Sequence, residues 1–202
     1  FVGGRVSPKA YPKPGQSFLL RNDSKLGKIS FKDVTKQWSP SLPEVGMVSD
    51  FLWTDFNNDN KPDLVFACEW SPLLFFKNTG NAFEKIEPSK EIGQASGWWN
   101  SLLAVDVDQD GDLDLLVASG GNERTSPENY KSRLYLNNGQ GMFSKGKTVI
   151  PSTNNNVSVV APCDFDGDGD MDVFIGSRSV PGVYGINPKH LLLENDGKGN
   201  FV

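Results

Sequence analysis

The chain has 202 residues, 37% hydrophobic and 22% charged, with a formal net charge of −5. No apolar run approaches the ~18 residues a helical membrane span needs, and 22 aromatics spread along the length exclude a disordered chain. A single His190 with only Cys68 and Cys163 excludes a His/Cys zinc site. Both cysteines sit in apolar runs and read as buried free thiols, a disulfide between them being the lesser reading.

The acidity is concentrated. Thirteen of the 25 acidic residues lie in the windows 55–63, 106–114 and 164–172. The other 12 stand against the chain's 20 basic residues. Concentrated acid suits cation sites, and the absence of a basic stripe or basic helix excludes nucleic acid as a partner.

In chain order, residues 1–50 carry FVGGRV and SFLLRND but no acidic window. They read as a partial repeat and its connection. Residues 51–98 open the first full unit, with DFNNDNKPDLVFA followed by LLFFKNTGNAF. Residues 99–155 repeat this as DVDQDGDLDLLVA and RLYLNNGQGMF, and residues 156–202 as DFDGDGDMDVFIG and HLLLENDGKGNF. FVGGRV aligns with FIGSRS at Phe174, and SFLLRND with HLLLEND. Periods of this length belong to propeller blades or similar repeat arrays.

Within the 99–155 unit, strands are expected at 102–105, 113–118, 134–136 and 142–144, with NNGQG as the last hairpin turn. No stretch keeps a helical period for a dozen residues. The fold class is therefore all-β, in four-stranded antiparallel units.

Each window places oxygen ligands at alternate positions. They are Asp55, Asn57, Asp59 and Asp63; Asp106, Asp108, Asp110 and Asp114; Asp164, Asp166, Asp168 and Asp172. Backbone carbonyls are available at Lys61, Asp112 and Asp170. Alternate carboxylates in a tight loop suit a hard cation that takes six to eight oxygens, so up to three structural Ca2+ ions are expected. An EF-hand fails, because position 12 holds Phe66, Val117 and Ile175 in place of Glu and strands follow the loops. The first loop, with fewer carboxylates, is expected to bind most weakly.

These loops, the L-L-V-A-type strand after them and the L-Y-L-N-N-G turn resemble FG-GAP/VCBS repeats. The phrases FVGGRV, GMVSDFLWTDFNND and SGWWNSLLAVDVDQDGD look closest to bacterial VCBS/ASPIC-type surface proteins. The resemblance implies a β-propeller with the calcium loop between the first and second strands of each blade, as in integrin α subunits. About three and a half blades are present, where family propellers have about seven. The remaining blades of a longer chain, or another copy, would complete the ring.

The connections at the opposite rim carry the candidate ligand residues Arg5, Trp70, Trp98, Trp99, Arg124, Tyr130, Arg178 and Tyr184. Aromatics beside charges suit a protein or glycan partner. Weak calcium sites fill outside cells, which places the expected module at the cell surface or in the extracellular space. No catalytic residues are assigned. A carbohydrate-active enzyme is the alternative, with Glu69 and Glu123 as its candidate acids.

Overall fold

Each repeat becomes a stack of antiparallel strands because its apolar runs are bounded by Asp, Asn and Gly clusters. Those residues accept the left-handed backbone that tight turns require. The computed structural model describes residues 1–121 and 131–202. At the N-terminus, Val2 bridges Phe18, and β1 (Leu20–Asn22) pairs with β2 (Phe31–Asp33). Helix α1 (Thr35–Trp38) and a 3-10 turn at Leu42–Glu44 lead into the first full blade.

That blade consists of β3 (Val48–Thr54), β4 (Asp63–Ser71), β5 (Leu74–Asn78) and β6 (Phe83–Ile86). After the short helix α2 (Lys90–Gln94), capped by the Ser89 hydroxyl, the second blade repeats the plan. It comprises β7 (Gly97–Val105), β8 (Asp114–Ser119), β9 (Arg133–Asn137) and β10 (Phe143–Lys145). The third has β11 (Asn156–Cys163), β12 (Asp172–Ser179) and β13 (Leu191–Leu193), and an Asn195–Phe201 bridge stands where a fourth strand would be. The all-β architecture of propeller blades is thus present. Strand β7 starts earlier than the expected 102, because Trp98 and Gly97 also pair with Glu69 and Ser71 of the first blade.

Alternation along the second strand of each blade builds the core between blades. Leu64, Phe66 and Cys68 pack toward the N-terminal unit, while Val65 and Ala67 join Leu115 and Val117 of the second blade. Leu116 and Ala118 in turn meet Val173 and Ile175 of the third. The next face has no described neighbour: Phe174, the counterpart of buried Val65 and Leu116, is 39% exposed. Phe165, at the place of buried Phe56 and Val107, is 47% exposed. Cys68 and Cys163 are free thiols, the first buried and its pKa pushed up to about 12 by burial, the second half-buried.

Polar staples set the phase between blades. The Asn137 amide donates to Phe56 O (2.9 Å) in the preceding blade and to Leu113 O (3.1 Å) in its own. Asn195 repeats this with Val107 O (2.8 Å) and Met171 O (3.2 Å). Asn78, at the same place in the first blade, donates to its own Pro62 O (3.0 Å). On the opposite side Ser49 Oγ donates to Trp99 O, and Asn100 Nδ2 to Val157 O (2.7 Å).

Removing the Asn137 amide leaves two carbonyls without a donor, each worth about 1–3 kcal/mol when buried. Asn137→Ala is expected to lower stability by about 2–4 kcal/mol in urea denaturation, and Asn78→Ala by clearly less. Equal losses would show that the bond between blades contributes nothing beyond the local one.

Candidate functional site

The acidic loops connect the first and second strands of the blades. Each turns through left-handed backbone at two places, positions 4 and 6. In order these are Asn58 and Asn60, Gln109 and Gly111, and Gly167 and Gly169. This double turn coils the chain so that alternate side chains point inward. In the second loop, carboxylate oxygens of Asp106, Asp108 and Asp114 lie within 4.8 Å of one another, and in the third those of Asp164, Asp166 and Asp172 do so. Positions 1, 3 and 9 therefore converge, while Asp110 and Asp168 stay outside these groups. Asp112 turns its side chain away, accepting from Asn58 Nδ2 (2.7 Å) in the preceding loop.

The last aspartate of each loop is buried and held by backbone. Asp63, Asp114 and Asp172 accept from the amides of Asn78 (2.7 Å), Asn137 (2.8 Å) and Asn195 (2.8 Å). Each staple asparagine is thus fastened at its own amide by a loop carboxylate. Burial, the largest cause, raises the Asp63 pKa to about 6 and the Asp114 pKa to about 7. Asp108 is also raised, first by burial and then by the charge of Asp110.

Oxygen-only donors fit a hard divalent cation, and the second loop meets a stricter test as well. Asp106 Oδ1 and Asp108 Oδ1 are shielded from solvent without a hydrogen-bond partner. Buried anionic oxygens need a compensating charge or donor, and a cation between Asp106, Asp108 and Asp114 would supply it. The first loop differs, for two lysines stand on its position-5 carboxylate. Lys61 Nζ lies 3.3 Å and Lys77 Nζ 3.8 Å from Asp59 Oδ2. Asp55 accepts from the amides of Asp59 and Asn60, and Asn57 Nδ2 donates to Asp63.

At the other ends of the first strands lies a cleft of about 550 Å³. Its lining includes Arg5, Ser49, Trp98, Asn100, Arg178 and Tyr184. A smaller cavity of about 190 Å³ adjoins it, lined by Arg5, Val6, Tyr11, Glu69 and Trp98. Arg5 Nε pairs with Glu69, whose side chain is almost wholly buried while that of Arg5 is largely exposed. Trp70 sits at φ 62°, unusual for a bulky residue. Its indole donates to Tyr11 OH (3.0 Å), and its ring meets Trp98 edge-on at 4.8 Å.

The fold therefore gathers Arg5, Trp70, Trp98, Arg178 and Tyr184 on one rim. Trp99 is a correction: it is 1% exposed, packed between the first two blades, with Nε1 donating to Ser71 O (2.9 Å) and Arg133 over its ring. Arg124, Tyr130 and Glu123 lie outside the described residues. Glu69, a candidate acid of the enzymatic alternative, is the ion-pair partner of Arg5. His190 accepts from the Ser177 amide and stacks on Phe174. Sequence reasoning passed over Ser49, Asn100 and Ser158. The signal was available in the aligned pairs Val48-Ser49, Trp99-Asn100 and Val157-Ser158, which put Trp99 in register with two core valines.

A family model for the FG-GAP-like repeat matches residues 55–117 and 118–175. The chain belongs to this family. Each FG-GAP match runs from one blade into the next, the first opening at the Asp55 loop and both together spanning all three acidic windows. A search of curated proteins finds no significant match. The FG-GAP assignment carries the repeat and the propeller-like fold. Among the described residues, no helix is long and apolar enough to cross a membrane.

Proposed function

We propose that this FG-GAP chain is a calcium-stabilised, non-catalytic recognition or scaffold module of the cell surface or extracellular space. The observation that carries the calcium part is the pair of buried, unpartnered oxygens on Asp106 and Asp108, grouped with Asp114. Asp164, Asp166 and Asp172 form the second such group. The lysines on Asp59 make the first loop the weakest of the three. The recognition part rests on the rim that collects aromatics and arginines in one open cleft. The exposed face of the third blade suits a further blade, from a longer chain or another copy.

Calorimetric titration of the metal-free chain with calcium tests the first part. Two stronger sites and one weaker are expected. Asp108→Asn and Asp166→Asn should each remove one of the stronger pair. No calcium uptake at millimolar concentration would overturn the reading.

A further inference from the structure

The repeat brings four equivalent positions to one place. At the end of the second strand, Arg5 of the N-terminal unit corresponds to Glu69, Gly120 and Arg178 of the three blades. All four belong to the cleft and its adjoining cavity. Their chemistry is unequal in a way that shapes a site. Glu69 is buried and engages Arg5 through Nε, which leaves the two terminal nitrogens of that guanidinium with no other described partner. Arg178 is exposed and has no ion-pair partner among the described residues. At Gly120 there is no side chain, and a Cβ there would come within 2.9 Å of Asn100 Nδ2.

The backbone holds Arg5 in this position. Val48 N donates to Gly4 O (3.2 Å), and Gly4 N donates to Ser17 Oγ (3.0 Å). A Cβ on Gly4 would collide with Gln16 O at 2.4 Å, so the segment lies flush on its neighbour only because glycine stands there. Two guanidinium groups facing one cleft, one of them neutralised by a carboxylate behind it, leave these four positions with one net positive charge. Trp98 forms a wall common to both cavities, and its ring is fixed by Trp70 and packed close to Gly121. Ser49, Ser158 and Ser179 line the same cleft; the Ser49 and Ser158 hydroxyls donate to backbone carbonyls, which leaves their oxygens as acceptors.

We propose that this cleft binds a carboxylate-bearing sugar ring, a uronate. Arg5 and Arg178 take its carboxylate, and Trp98 takes its C–H face. The forked guanidinium matches a carboxylate, and an aromatic wall among hydroxyls suits the mixed apolar and hydroxylated surface of a sugar. The inference rests on the recognition reading and names its ligand class.

The test is calorimetric titration of the chain, in millimolar calcium, with oligogalacturonate, its methyl ester, and a neutral galactose oligomer. Saturable binding of the acid form alone is expected. Arg178→Gln should weaken it about tenfold or more, as for loss of a charge-assisted contact, and Trp98→Ala likewise. The double variant Arg5→Gln/Glu69→Gln removes the first guanidinium without stranding a buried charge, and should weaken binding as strongly. Near-UV circular dichroism of each variant separates loss of fold from loss of contact. Equal binding of the methyl ester or the neutral oligomer would overturn the uronate assignment and leave saccharide recognition standing. Failure to bind any of the three while a poly-glutamate peptide binds would replace the sugar with an acidic protein segment. Failure of all four ligands would remove the cleft from the recognition reading too. Melting in calcium and chelator reads the calcium sites independently of every one of these results.

Discussion

Chelation of calcium is expected to lower the melting temperature by about 6–11 °C. The figure follows from two well-formed loops, each contributing about 1.4 kcal/mol when calcium stands at ten times its dissociation constant. In a chain of this size each kcal/mol moves the midpoint by about 2–4 °C. The effect should exceed that of losing a surface ion, because the loops are tied to the contacts between blades. Val107 lies between the ligand positions Asp106 and Asp108, and its carbonyl accepts both Asn195 Nδ2 and Gly199 N (2.9 Å) of the third blade. Asp114, in the same loop, accepts the amide of Asn137, whose side chain reaches back to Phe56 O in the first blade. Emptying the second loop therefore loosens both neighbouring interfaces. Differential scanning calorimetry in calcium and in chelator reads this directly, and an unmoved midpoint would refute a structural role. Asp108→Asn should reproduce part of the shift and reduce the response to calcium.

The two adjacent tryptophans are expected to separate stability from recognition. Trp99→Ala should cost about 3–5 kcal/mol, the range for emptying a large buried aromatic site. Its ring belongs to the buried cluster that includes Ile92, Leu102 and Tyr135, and its indole holds the Ser71 carbonyl. Trp98→Ala, on the half-buried rim, should cost less than about 1 kcal/mol, close to the range for substitutions away from the core. Urea denaturation checks both. Similar losses would mean that the rim tryptophan is part of the core and unavailable to a ligand.

These expectations also mark where the one-dimensional reading ends. The repeat, the strand-rich units, the oxygen-bearing loops and their place before the second strand were legible in the chain. The loops and strands rest on spacing over fewer than a dozen residues, where chemistry is local, and the repeat rests on the recurrence of those short phrases. The left-handed backbone at Gly111 and Gly169 belongs to the same local class. Tertiary structure decided matters that depend on residues far apart in sequence. Asp112 turns out of its own loop to accept from Asn58 Nδ2, 54 residues away in the preceding loop.

Trp99 faces the core and Trp98 the rim because strand alternation has meaning only once the neighbouring blade is placed. The register of Val48 and Val157 held that answer in code, without showing which face was covered. The same holds for Arg5, Glu69, Gly120 and Arg178. Their equivalence is a property of the repeated sequence. Their meeting is a property of the stacked blades, which bring repeats more than 50 residues apart together and turn a periodic position into one cleft and its adjoining cavity.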